Sequence, residues 1–181
     1  MKVQIRRGCF ETNSSSTHAI CISKDDVDKS NLPKHITFTH GEFGWEEAIL
    51  SDVWSRASYL YQAICDCYYE EERQEKLGVL EDLLAGYGIS CEFEPDKKDS
   101  WGLTYGYIDH SYEAKDFVDA VLNDSDKLIR YLFGDSIIVT GNDNSEWFDE
   151  YMYGTTDEYM YGTTDEYKDE FSKYEIFEKG N

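Results

Sequence analysis

Polar and apolar residues alternate along Lys2–Arg6, with Val3 and Ile5 on one face, which predicts a strand, and Thr17–Ser23, with Ala19, Ile20 and Ile22 around Cys21, predicts another. His35–Thr39 predicts a third strand, closed by His40-Gly41. The period then lengthens. Trp54, Ala57, Tyr61, Ile64 and Tyr68 fall on one face of a helix over residues 46–70, and Leu77, Leu80, Leu83 and Leu84 mark a second from about Glu72 to Ala85, ended by Gly86 and Gly88. Ile89–Phe93 and Trp101–Ile108 read as strands joined by a charged turn. Glu113–Asn123 and Ser125–Phe133 read as helices, the latter capped by Ser125, and Ser136–Thr140 is a strand of buried type ending in Gly141-Asn142-Asp143-Asn144.

Strands and helices interleave without a regular βαβ rhythm. The expected class is therefore α+β: a small mixed or antiparallel sheet with about four helices packed on it, plus an acidic C-terminal repeat segment. The expected boundaries are one domain over residues 1–145 and a tail over 146–181. In that tail Glu150–Asp157 is repeated letter for letter as residues 158–165. Such a duplication survives where the backbone is exposed or loosely packed. Its Tyr-Met-Tyr and Gly-Thr-Thr-Asp halves read either as short strands and turns or as a partly ordered acidic tail.

Charge changes the picture more than length does. The 181 residues carry 17 Lys+Arg and 38 Asp+Glu, a formal net charge of −21, which excludes ordinary binding to nucleic-acid phosphates or anionic lipid. With 40 % hydrophobic and 15 % aromatic residues the chain is nonetheless too apolar for a disordered acidic segment. Residues 142–181 hold 12 acids and 3 bases, so most of the negative charge, −12, belongs to the first 141 residues. There is no 18-residue apolar run, and the N-terminus turns polar at once, so neither a membrane span nor a signal peptide is expected. Five cysteines (Cys9, Cys21, Cys65, Cys67 and Cys91) without metal-ligand spacing read as reduced cytosolic thiols, and no cofactor or metal is expected.

The densest polar run is Arg6, Arg7, Glu11, Thr12, Asn13, Ser14, Ser15, Ser16 and His18, in a loop between two predicted strands. Glu11 can act as a general base and His18 as acid or base. Arg6 and Arg7 suit a phosphate, and Asn13 with the three serines suits leaving oxygens. The same residues can equally satisfy their own backbone in a self-capping turn. Asp109-His110 at a strand end is a second candidate pair, and Asn142-Asp143 a further binding candidate. His40–Glu46 is a tight loop that either presents Phe43 or Trp45 or anchors one of them in the core. If His18, His40, Asp109, His110 and Asp143 share one edge of the sheet, they form a hydrolase-like pocket.

The run Arg6–His18, with its Phe-Glu-Thr-Asn-Ser-Ser-Ser-x-His core, resembles the N-terminus of small proteins from phages and mobile elements of Gram-positive bacteria. Gly41–Glu46, Ala57–Tyr61, Tyr107–His110 and Thr140–Asn144 fit the same pattern, which spans about residues 1–145. In length and type the chain also resembles streptococcal anti-CRISPR inhibitors of type II effectors. That resemblance implies action in the cytoplasm of a bacterial host. It implies binding to a basic RNA-guided DNA nuclease with its guide RNA, inhibition of that enzyme, and truncation of the guide as a further activity. The alternatives are a stand-alone nucleotide or RNA hydrolase and an anti-defence protein unrelated to CRISPR.

Overall fold

The computed structural model describes residues 16–96, 106–142, 146–154 and 167–179. The class is α+β. A four-stranded antiparallel sheet has the order β4-β7-β1-β8, with β1 at Ser16–Ser23, β4 at Ala48–Leu50, β7 at Ile137–Asn142 and β8 at Tyr174–Lys179. Two small parallel pairs flank it: β2 (His35–Phe38) with β5 (Ser90–Phe93), and β3 (Glu42–Phe43) with β6 (Tyr107–Ile108). The helices are α1 (Val53–Cys67), α2 (Glu70–Ala85), α3 (Lys115–Leu122), α4 (Ser125–Phe133) and the short α5 (Glu146–Met152). Among the described residues, no helix is long and apolar enough to cross a membrane.

Side chains alternate across β1, and both of its faces are covered. Ile20 and Ile22 join Ile138 in the main core beneath α1, α3 and α4. Ala19 and Cys21 join Val139 in a second core, closed by Phe148 and Met152 of α5 and by Phe171 and Tyr174. Burying each of those four large side chains is worth roughly 1.5–3 kcal/mol before entropy is counted, comparable in sum with the net stability of a domain. The boundary expected at residue 145 is therefore corrected. Residues 146–154 and 167–179 form the second layer, and β8 pairs with β1 from His18↔Lys179 to Ser23↔Tyr174. Gly141 permits that layer: a Cβ there would lie 3.0 Å from Phe148 Cβ and 3.2 Å from its ring.

Several local expectations are also revised. Asp52 caps α1 by accepting from Ser55 N at 2.9 Å, so the expected helix starts at Val53 and its first residues are instead β4. Trp54 is 63 % exposed, and the buried arc of α1 runs through Ala57, Leu60 and Ile64, widened by Arg56 and Tyr59. Asp124 rather than Ser125 caps α4, accepting from Lys127 N at 3.0 Å. Tyr151 and Met152, in the first repeat copy, are helical rather than extended. The strand expected over Lys2–Arg6 lies outside the described residues.

Arg56 ties α1 to the helix–sheet junction. Buried, it donates to the carbonyls of Ser51 (2.9 Å), Leu132 (2.8 Å) and Ser136, while Tyr131 Oη donates back to the Arg56 carbonyl at 2.7 Å.

Candidate functional site

The start of β1 is where the sequence-derived candidates meet. Gly106, at φ +88°, begins the local geometry: a Cβ there would fall 2.3 Å from Gln62 Oε1, so only glycine fits. The following amides clip β6 to the preceding loop, Tyr107 N donating to Gly41 O (2.9 Å) and Asp109 N to Phe43 O (3.0 Å). Ile108 N donates to the Asp66 carboxylate at 2.8 Å. These bonds deliver Asp109 to the end of the sheet. There Ser16 N donates to Asp109 Oδ2 and Ser16 Oγ to the Asp109 carbonyl, both at 3.3 Å. His110 follows in a left-handed conformation (φ 53°), uncommon for a residue with a side chain, with Nε2 3.9 Å from Asp109 Oδ1.

Lys179, fully buried at the end of β8, donates from Nζ to Ser16 O at 2.9 Å and to Ser16 Oγ at 2.8 Å. A serine hydroxyl against a lysine amine is a pairing that can generate a nucleophile, but here both groups are enclosed. Asn142 stands opposite Ser16 in the β1–β7 register.

His18, two residues further along β1, is also fully buried. Its Nε2 lies 2.8 Å from the Gly44 carbonyl, which only accepts, so Nε2 carries the proton. Nδ1 then accepts from Tyr59 Oη at 3.0 Å. Burial pushes the imidazole down from 6.5 to about 4. The Gly44 carbonyl and the Asp109 carboxylate oppose that shift, and the Lys179 ammonium adds to it. The ring is thus neutral near pH 7, with both nitrogens engaged.

The structure therefore brings together Ser16, His18, Asp109 and Asn142, with His110 adjoining. Of these side chains, Asp109 and His110 face solvent most clearly, at 32 % and 49 % exposure. Arg6, Arg7, Glu11, Asn13, Ser14, Ser15 and Asp143 lie outside the described residues. His40 belongs elsewhere. Its Nδ1 meets Gln62 Oε1 at 3.0 Å, and its Nε2 sits 3.4 Å from Asp96 Oδ1, beside a cleft of about 440 Å³ between α1, α2 and the end of β5. Arg73 at that cleft is paired to Asp96 (3.1 Å) and Glu70, which leaves it poorly suited to an anionic ligand. Phe43, in β3, turns inward against Tyr59 (ring centroids 4.9 Å apart), and Trp45, between β3 and β4, turns out.

Sequence reasoning missed Lys179, Tyr59 and Gly44. The only signal for Lys179 was the alternation of Tyr174 and Ile176 with charged residues, inside a segment read as tail. No protein-family model matches the chain, and neither a curated protein nor a solved structure is significantly similar to it.

Proposed function

We propose that the chain is a binding inhibitor of a basic nucleic-acid enzyme, of the kind represented by type II RNA-guided DNA nucleases, acting inside a bacterial host cell. The supporting observation is how its few cations are spent against a net charge of −21. Arg56 and Lys179 are buried. Lys29, Arg73, Lys76 and Lys127 are each held by a carboxylate: Asp126 at 2.7 Å, Asp96 at 3.1 Å, Asp119 at 2.6 Å and Glu175 at 2.8 Å. The other six cations of the described residues, Lys24, Lys34, Lys115, Arg130, Lys168 and Lys173, are far outnumbered by the 31 acids there. An RNA-guided nuclease holds its heteroduplex in a positively charged channel, and a rigid acidic body can compete for that surface. The enclosure of His18, with both nitrogens committed, further favours binding over acid–base chemistry at the head of β1.

Guide-loaded effector, incubated with the full chain and recovered at low and high salt, tests this reading. Capture at low salt that weakens as salt rises supports it, and no capture at low salt removes it.

A second reading, truncation of the guide RNA, draws on the solvent-facing Asp109-His110 pair. Labelled guide shortened by the wild-type chain, but not by Asp109→Asn or His110→Ala, would support it. Full-length guide in every lane would remove it.

A further inference from the structure

The exposed large apolar side chains are not scattered evenly. Trp45 (53 %), Ile49 (43 %) and Trp54 (63 %) bracket and occupy β4, whereas Tyr69 and Tyr107 stand apart in sequence. β4 is an edge strand. β7 pairs with one side of it, and no described strand pairs with the other. Exposed edges carry unpaired backbone groups, and tryptophan is enriched among the residues that anchor interfaces.

Along the described chain on either side of β4 the exposed charge has one sign. Glu42, Glu46, Glu47 and Asp52 are all exposed. Between Lys34 and Arg73 the sole Lys or Arg is Arg56, whose guanidinium is buried among carbonyls, and the neighbouring strand β7 contains none. An indole face beside carboxylates suits a guanidinium or ammonium group, which gains a cation–π contact from the ring and an ion pair from the acid. The same acids repel nucleic acid and a second copy of this chain.

Resting on the binding reading above, we propose that the outer side of β4, with Trp45 and Trp54 at its two ends, is the face that docks on the partner, and that the occupant is an arginine- or lysine-bearing protein segment. The tryptophans anchor the complex and govern its dissociation. Glu46, Glu47 and their neighbours steer the approach and govern association.

Binding kinetics of the full chain against guide-loaded type II effector test this. Trp45→Ala/Trp54→Ala is expected to weaken affinity by about tenfold or more, mainly through faster dissociation. Glu46→Lys/Glu47→Lys is expected to slow association by about tenfold at low salt. Tyr69→Ala, removing an exposed aromatic remote in sequence, is the control and should stay within about twofold. The substituted side chains are exposed, so circular dichroism should register an unchanged fold. If the wild type binds and the double tryptophan variant stays within about twofold of it, this face is wrong while the binding reading stands. If the wild type does not bind at low salt, both fall together.

Discussion

Protonating His18 should destabilise the fold, and the cost can be worked from its surroundings. In the folded chain the ring is buried, donates to Gly44 and accepts from Tyr59, and its pKa falls from 6.5 to about 4. An added proton would sit on Nδ1, facing the Tyr59 hydroxyl with no carboxylate hydrogen-bonded to it. The unfolded chain takes up that proton near 6.5, the folded chain only near 4. The stability tied to a neutral ring is therefore fully present above pH 6.5 and is lost as pH falls to about 4, a total of roughly 3 kcal/mol. With 38 acidic residues the background titration is large, so the informative quantity is the difference between wild type and His18→Gln, which has no proton to gain. Urea unfolding followed by tryptophan fluorescence at intervals from pH 7.5 to pH 4 supplies it. The advantage of the wild type should shrink by about 3 kcal/mol across that range. A difference that stays constant with pH, or an imidazole resonance of His18 titrating near 6.5, would refute the reasoning.

Three further outcomes follow from the packing. Arg56→Met removes the donor to the carbonyls of Ser51, Leu132 and Ser136 and should cost about 3 kcal/mol or more in denaturant unfolding; a loss below about 1 kcal/mol would contradict the role given to Arg56. Deleting residues 158–165 should change stability by no more than about 1 kcal/mol in the same assay, because the flanks are already joined: Lys168 N donates to Met152 O at 3.0 Å, and Tyr153 stacks on Tyr167 at 5.2 Å. Truncation after Lys173 removes β8 and the Lys179 contacts to Ser16, and should abolish cooperative thermal unfolding; an intact sharp transition would show that β8 is dispensable.

The contrast between those two deletions shows where the sequence was legible. α2, α3 and α4 were readable from helical spacing of apolar residues, and β1 and β7 from the short apolar runs Ala19–Ile22 and Ile137–Val139. β4 was not, since three residues between Glu47 and Asp52 are too short to display a period and were absorbed into the expected helix. β8 was hidden by context: Tyr174 and Ile176 alternate as a strand should, yet they follow an acidic perfect repeat that reads as tail. The contacts that join Tyr153 to Tyr167 and Met152 to Lys168 are consistent with a chain that can lengthen between them at little cost. At the head of β1, residue types marked Ser16 and His18 in one polar run and Asp109 in a second, and the fold places Ser16 against Asp109. Their setting was not legible, because β1 is covered on both faces and alternation alone does not say that His18 points inward toward Tyr59. Lys179 reaches Ser16 only through a pairing 163 residues long in sequence, which no local pattern encodes.

The account stands or falls on whether an acidic, cation-poor surface drives association with a basic enzyme. The most direct measurement is the association rate of the full chain with guide-loaded type II effector across a range of ionic strength. The rate should be high at low salt and fall steeply, by about tenfold or more, as the screening length shortens. A rate indifferent to salt, or no association at the lowest ionic strength, would contradict it.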